Sequence, residues 1–179
     1  MDDIHIGALC VALVLLIGCS AFFSSSETGL MTLNRYRLRH RAKAGDKAAQ
    51  RVGQLLERPD RLIGLILLGN NFVNILASSL ATIIAIHFLG DAGIAVSTLA
   101  LTLILLVFGE VAPKTLAALH PERIAYPASV VLAPLLKVFY PLVWLTNLVV
   151  NNLLRLFRVN IQTSNQQSLS AEELRTVVL

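Results

Sequence analysis

Residues 4–23 read IHIGALCVALVLLIGCSAFF, a stretch of twenty residues without a formal charge. About 20 apolar residues in a helix are enough to cross the hydrocarbon core of a bilayer. A cleaved signal peptide begins with a basic segment, whereas Asp2 and Asp3 precede this stretch. Residues 24–27, SSSE, are also a poor cleavage site. The stretch therefore predicts a retained transmembrane helix, which is the first of the fold.

The composition of the whole chain agrees with a membrane protein. Of its 179 residues, 55% are hydrophobic and 15% are charged, whereas soluble domains carry about a quarter charged residues. A chain of this size has too little interior volume to bury so much apolar surface. A soluble globular domain, a disordered chain and a disulfide scaffold are therefore excluded.

Two further apolar runs, 62–89 and 94–108, are separated by the short polar turn GDAG at 90–93. The first run is long enough for a tilted span, and the second leads into residues 109–114. The brief connection predicts a helical hairpin with almost no external loop.

A basic segment, 34–61, lies between the first and second apolar runs. It holds nine of the fifteen lysines and arginines against three acidic residues. Between apolar spans, such a block marks a cytoplasmic loop, and nucleic acid is not an expected partner. Its sparse apolar residues and the break at Gly45-Asp46 predict two short cytoplasmic helices.

The fourth apolar region, 124–154, differs because it contains three prolines and Lys137. Lysine at mid-bilayer costs about 3 kcal/mol, and interior prolines weaken helices. Charge asymmetry places the acidic N-terminus outside, and both the basic loop and Arg155 with Arg158 inside. An odd number of crossings is then required. The region is expected to lie along the cytoplasmic face or to dip in and return. An ordinary fourth span is the alternative, since membrane helices tolerate proline.

The predicted fold class is an all-α membrane protein with three transmembrane helices, a short cytoplasmic helix pair and a proline-kinked juxtamembrane belt helix. This transmembrane domain is expected to cover residues 1–158. Residues 160–168 have the composition of a polar linker. Ser170 with Glu173 forms a capping box that starts another helix. Residues 159–179 are therefore interpreted as a linker and the start of a truncated cytoplasmic region.

Three polar clusters interrupt the apolar runs: 24–28, 69–74 and 109–110. Asn70 and Asn74 share one helix face, whereas Asn71 points about 100° away. Pro113 has no N–H to donate to the carbonyl of Gly109 four residues earlier. Glu110 follows that carbonyl and is an intramembrane carboxylate, which suggests ion or proton handling.

Carboxylate, carboxamide, hydroxyl and carbonyl oxygens are hard ligands that suit Mg²⁺, Ca²⁺, Mn²⁺ or Na⁺. The scattered histidines and two cysteines disfavour a soft-metal site. For most of the polar residues, interhelical hydrogen bonding is the alternative role. Glu27 lies closer to the cytoplasmic end and is expected to pair with a loop arginine. Catalytic constellations such as Ser/His pairs or HExxH are missing from the sequence, so an enzyme is not expected.

Three motifs together resemble the transmembrane domain of the CorC/CNNM family of magnesium transporters. They are SAFFSSSETGL at 20–30, LGNNFVN at 68–74 and GEVAPK at 109–114. The resemblance covers roughly residues 4–158, and three motifs in order make it specific.

The resemblance implies a homodimer in the inner (plasma) membrane, with cytoplasmic CBS domains in the full-length protein. It implies a Mg²⁺ site at Ser24, Asn70, Asn74 and Glu110, to which the Gly109 carbonyl is a plausible addition. It also implies Mg²⁺ export, with Na⁺ as coupling ion. The alternative is a dimeric membrane sensor or scaffold that regulates another Mg²⁺ channel.

Overall fold

The computed structural model describes residues 3–156, in which all the regular secondary structure is helical. Predictions that fall on 157–179, namely the linker, the Ser170 capping box and the truncated region, lie outside the described residues. The elements are α1 (Asp3–Thr32), α2 (Arg35–Lys43), α3 (Lys47–Leu55), α4 (Pro59–Leu89), α5 (Ala92–Ile104), a π-helical segment (Leu105–Val111), α6 (Ala112–Leu119), α7 (Pro121–Val138) and α8 (Tyr140–Leu156).

Three helical stretches are long and apolar enough to cross a membrane: Ile6–Thr32, Pro59–Leu89 and Ala92–Leu119. Only 17–22% of their most apolar segments is buried within the chain. Large apolar side chains therefore face outward, where a bilayer would cover them. The predicted three-span, all-α fold class is confirmed.

The region 124–154 forms α7 and α8, with a bend at Phe139 between them. The pair amounts to a fourth span only if the bent segment is counted as one broken crossing. Pro127 and Pro134 lie inside α7 without ending it. The chain divides into two compact units, Met1–Val143 and Trp144–Leu179. The sites described below belong to the first unit.

Helix α1 continues well past the apolar run that predicts it. Ser25 and Ser26 both donate hydrogen bonds from Oγ to the carbonyl of Phe22, at 3.1 and 2.6 Å. These bonds satisfy hydroxyls that hydrocarbon would penalise. The polar cluster 24–28 is thus part of the spanning helix, and α1 contacts α4, the π-helical segment, α6 and α7.

The two short helices predicted in the basic segment are present as α2 and α3. Asn34 and Asp46 cap their N-termini by accepting hydrogen bonds from backbone N–H groups. The Asp46 carboxylate also accepts two hydrogen bonds from Arg41. The bonds from the Ala49 amide and from Arg41 lower the pKa of Asp46 below 3.8.

Helices α2 and α3 pack on α7 through an apolar face and a set of charges. Val52 of α3 and Leu132 of α7 are fully buried in one core that also contains Leu30 of α1. Arg37 and Arg41 each form an ion pair with Glu122. The well-packed core of the first unit thus lies at the end of the spans that carries the basic helices.

The hairpin between α4 and α5 closes tightly. Gly90 turns the chain with φ of 61°, which favours glycine. Gly93 lies so close to the backbone of Ala85 that a Cβ at this position would overlap the Ala85 carbonyl. The hairpin predicted for the two apolar runs is therefore confirmed, and α5 already starts at Ala92.

Candidate ion site in the membrane helices

Three elements meet at Ser20, a fully buried residue of α1. Its hydroxyl donates a hydrogen bond to Oδ1 of Asn70 on α4, at 3.1 Å. A Cβ added to Gly109 would lie 3.0 Å from the same hydroxyl. The absence of a side chain at Gly109 therefore lets the π-helical segment approach α1 closely. We call this meeting point of Ser20, Asn70 and Gly109 the polar junction.

The polar junction lies at membrane depth. Asn70 is eight residues beyond Leu62, where the apolar run begins, so it lies about 12 Å along the helix from that end. The hydrocarbon core is about 30 Å thick. A polar contact at this depth is costly unless its groups are paired, which makes the junction the candidate functional site.

Two predicted ligands carry buried oxygens without a hydrogen-bond partner among the described residues. These are Oγ of Ser24 and Oδ1 of Asn74. Leaving a buried acceptor or donor unpaired costs about 1–3 kcal/mol. Such atoms persist in a native structure when they serve a ligand, an ion or a water.

The unpaired oxygens lie on either side of the polar junction. Ser24 is one turn beyond Ser20 on α1, and Asn74 is one turn beyond Asn70 on the antiparallel α4. Their Cα atoms are therefore about 12 Å apart along the helix axes. Side chains tilt toward the N-terminus of their helix, so both lean back toward the junction. The polar junction thus lies between the two unpaired oxygens, about one helical turn from the Cα atom of each residue.

The π-helical segment places Gly109 at the junction, and Glu110 is the next residue of the same segment. The amide of Ala112 donates to the carbonyl of Val107, five residues earlier. Pro113 then lacks the N–H that this spacing would direct to Phe108, or that α-helical spacing would direct to Gly109. The proline thus removes a backbone donor beside the candidate carboxylate. Wide turns of this kind are frequent at functional sites.

Glu110 and Glu27 are in different electrostatic situations. Glu27 lies 3.7 Å from the ammonium nitrogen of Lys114 on α6. The expectation that it pairs with a loop arginine is wrong, because α6 packs beside α1 and brings the lysine closer. Glu110 is half-buried and takes part in no ion pair within residues 3–156.

Close packing around Gly69 sets the register between α1 and α4. A Cβ at Gly69 would lie 2.6 Å from Cζ of Phe23, so the phenyl ring occupies the space of a missing side chain. Phe23 precedes Ser24 and Gly69 precedes Asn70. The ring therefore holds the two helices at the level that aligns Ser20 with Asn70.

The structure brings Asn70 and Gly109 each against Ser20, and Ser24, Asn74 and Glu110 lie on the same three elements as these residues. Asn71 is exposed on another face of α4, as predicted. Groups of three or more His, Cys, Asp or Glu that could bind a metal are missing from the described part of the chain. Any cation here would be bound by one carboxylate and neutral oxygens.

Sequence reasoning missed Ser20 and the π-helical segment. Ser20 lies four residues before Ser24, so the two share a helix face, and this spacing was a usable signal. The combination of Gly109 with Pro113 four residues later signals a local break in the hydrogen-bond ladder. Whether the five predicted residues bind an ion stays a prediction.

Comparison with known proteins tests the resemblance that the three motifs carry. The family model described as the cyclin M (CNNM) transmembrane N-terminal domain matches residues 11–179. The chain belongs to the CNNM transmembrane-domain family. The resemblance stated from the three motifs is thereby confirmed.

Three relatives of this CNNM-family chain come from bacteria. It is 57% identical over 159 residues to the UPF0053 inner membrane protein YfjD of Escherichia coli (strain K12), covering 89% of the chain and 37% of that protein. It is 46% identical over 178 residues to a UPF0053 protein of Haemophilus influenzae, covering 99% and 42%. A polyamine export protein of the same organism is 26% identical over 181 residues, covering 94% and 41%. The chain thus spans about two fifths of the length of these relatives.

Proposed function

We propose that this domain transports Mg²⁺, binding the ion at the polar junction and exporting it with Na⁺ as the coupling ion. Family membership supports a transport-related membrane domain. The observation that carries the proposal is the pair of unpaired buried oxygens, on Ser24 and Asn74. Structural hydrogen bonding alone would leave these atoms paired.

The donor set suits a hard cation. Glu110 would supply the negative charge that offsets the dehydration of Mg²⁺. Hydroxyl, carboxamide and carbonyl oxygens of Ser24, Asn70, Asn74 and Gly109 would replace some hydration waters. Mg²⁺ keeps several waters and requires near-octahedral geometry at about 2.1 Å, so one carboxylate with neutral oxygens is a sufficient set. Ser20 would hold Asn70 in place through its hydrogen bond.

The proposal extends to the complete protein. We propose a homodimer with the N-terminus outside and the C-terminus in the cytoplasm, in which cytoplasmic CBS domains follow this domain. Its role is transport rather than catalysis. An inward Na⁺ gradient would then favour the return of the emptied site.

The decisive experiment is a binding measurement on the purified chain. Mg²⁺ is expected to raise the thermal unfolding temperature of the wild type, and both Glu110→Gln and Asn74→Ala are expected to remove that rise. Asn71→Ala is the matched control, because Asn71 is exposed and lies outside the junction. A wild-type Mg²⁺ response in Glu110→Gln would overturn the site assignment.

Flux measurements distinguish the competing functions. The purified protein in liposomes is expected to move Mg²⁺, and Glu110→Gln is expected to stop it. Binding without flux by the complete protein would instead support a sensor or scaffold that regulates another channel. The polyamine export protein among the relatives supplies the second candidate cargo. Putrescine flux that Mg²⁺ does not compete with would favour that cargo.

A further inference from the structure

An apolar groove runs along α4 on the side of α1, α7 and the start of α8. Its volume is about 370 Å³, and only apolar surface lines it. The walls include Leu65 and Phe72 of α4, Phe23 of α1, Leu135 of α7 and Leu142 of α8. An apolar groove on the surface of a membrane domain is open to the surrounding lipid chains.

The length of the groove matches one leaflet. From Leu65 to Val73 the wall extends over eight residue-to-residue steps of α4, or about 12 Å. Half of a hydrocarbon core is about 15 Å thick. A single acyl chain that enters from one membrane surface would therefore fill the groove along its length.

A positive charge marks one end of the groove. Arg61 lies one turn before Leu65 on the same face of α4. Its guanidinium carbon lies 5.0 Å from the ring centroid of Tyr140, which follows the groove residue Phe139. The aromatic ring orients the guanidinium, and Arg is suited to bidentate binding of phosphate. The basic helices α2 and α3 precede this end of α4 and add positive charge.

We propose that this groove binds one acyl chain of an anionic phospholipid whose phosphate is bound by Arg61. The apolar lining requires a hydrocarbon occupant, and the arginine at its end selects a negatively charged headgroup. Cationic segments at a membrane surface attract anionic lipids in this way.

Bound lipid would also support the polar junction. Three groove residues are each followed in the sequence by a polar residue of the candidate site: Phe23 by Ser24, Gly69 by Asn70 and Val73 by Asn74. An acyl chain in the groove therefore packs against the wall behind these residues. The lipid binding itself does not depend on which cargo the site accepts.

The test is lipid titration of the purified chain in detergent, followed by native mass spectrometry. Dioleoyl phosphatidylglycerol is expected to bind about fivefold more tightly than dioleoyl phosphatidylcholine, the factor that one surface arginine contributes. Arg61→Gln is expected to remove this preference. Arg58→Gln removes the same charge three residues away, where the side chain is exposed, and is expected to keep it. An equal loss of the preference for phosphatidylglycerol in both variants would indicate diffuse electrostatic attraction and would overturn the proposal.

A second variant tests the groove itself. Leu142 lines the groove but is 41% exposed, so Leu142→Trp is expected to fill it without disturbing the core. Binding of both lipids should fall at least fivefold. Leu76→Trp, on an exposed position of α4 away from the groove, is the matched control and should bind as the wild type does.

Three results would overturn the proposal. The first is unchanged lipid binding by a folded Leu142→Trp variant. The second is a change of oligomeric mass in that variant with lipid binding retained, which would assign the groove to a second copy of the chain. The third is binding of glycerol phosphate as tight as that of dioleoyl phosphatidylglycerol, which would show that the acyl chain contributes nothing. The Arg61→Gln comparison remains valid if the tryptophan variant does not fold.

Discussion

Replacing Ser24 by alanine should stabilise the protein without Mg²⁺ and weaken its response to Mg²⁺. The side chain is 1% exposed, and its hydroxyl lacks a hydrogen-bond partner within the described residues. An unpaired buried hydroxyl costs about 1–3 kcal/mol. Alanine is also the better helix former. The small void left by one oxygen atom offsets part of the gain, so the net stabilisation should be about 1 kcal/mol.

For a chain of this size, about 1 kcal/mol corresponds to a rise of roughly 3 °C in the unfolding temperature. The assay is thermal unfolding of the purified protein in detergent, with EDTA and with Mg²⁺ in excess. The apo form of Ser24→Ala should unfold at a higher temperature than the apo wild type. The Mg²⁺-dependent rise should be smaller, because one oxygen ligand is missing.

Ser26→Ala is the matched control. Ser26 is also fully buried on α1, but its hydroxyl bonds to the Phe22 carbonyl at 2.6 Å. Its loss should not stabilise the apo protein and should leave the Mg²⁺ response unchanged. If Ser24→Ala lowers the apo unfolding temperature and keeps the full Mg²⁺ response, the hydroxyl is structural and the reasoning fails.

Two further predictions concern packing and pH. Gly69→Ala would bring a Cβ within 2.6 Å of the Phe23 ring, and the resulting overpacking should lower stability by about 1–3 kcal/mol. Thermal unfolding of Gly69→Ala beside the open-surface control Gly18→Ala checks this, and equal stabilities would contradict it. The lowered pKa of Asp46 means that its ionised form stabilises the α3 N-terminus above pH 3.8, and that this contribution is lost as pH falls through the lowered value. Hydrogen-exchange protection of the Ala48 and Ala49 amides should therefore fall in acid for the wild type. In Asp46→Asn, which keeps a capping oxygen, the protection should not fall. An identical acid response in both proteins would refute this reasoning.

Hydropathy and local capping were sufficient to predict most of the fold. The runs that became α1, α4 and α5 are long and free of charge, and no soluble alternative could bury them. The short helices α2 and α3 were predictable because their sparse apolar residues and the break at Gly45-Asp46 are local signals, and the structure adds caps at Asn34 and Asp46. These features depend on interactions between residues close in the sequence.

The candidate site was only partly predictable. Asn70, Asn74 and Glu110 attract attention because polar groups in apolar runs are costly. Ser20 did not, because its importance depends on which α4 residue lies opposite. That register depends on the fit of the Phe23 ring against Gly69, a contact across 46 positions that no periodicity reveals. The partner of Glu27 was predicted wrongly for the same reason, since its ion pair with Lys114 requires α6 to pack beside α1.

The amino-acid sequence by itself determined that the chain is a three-span membrane domain, and it identified most of the oxygen-bearing residues. Hydrophobicity and charge determine how a segment interacts with water and lipid, so its place in the membrane can be predicted without knowing which other segment it packs against. Only the tertiary structure decided which oxygens are paired and which lack a partner among the described residues. Those properties depend on helix register and on the wide turn before Pro113, and both follow from close packing between distant segments.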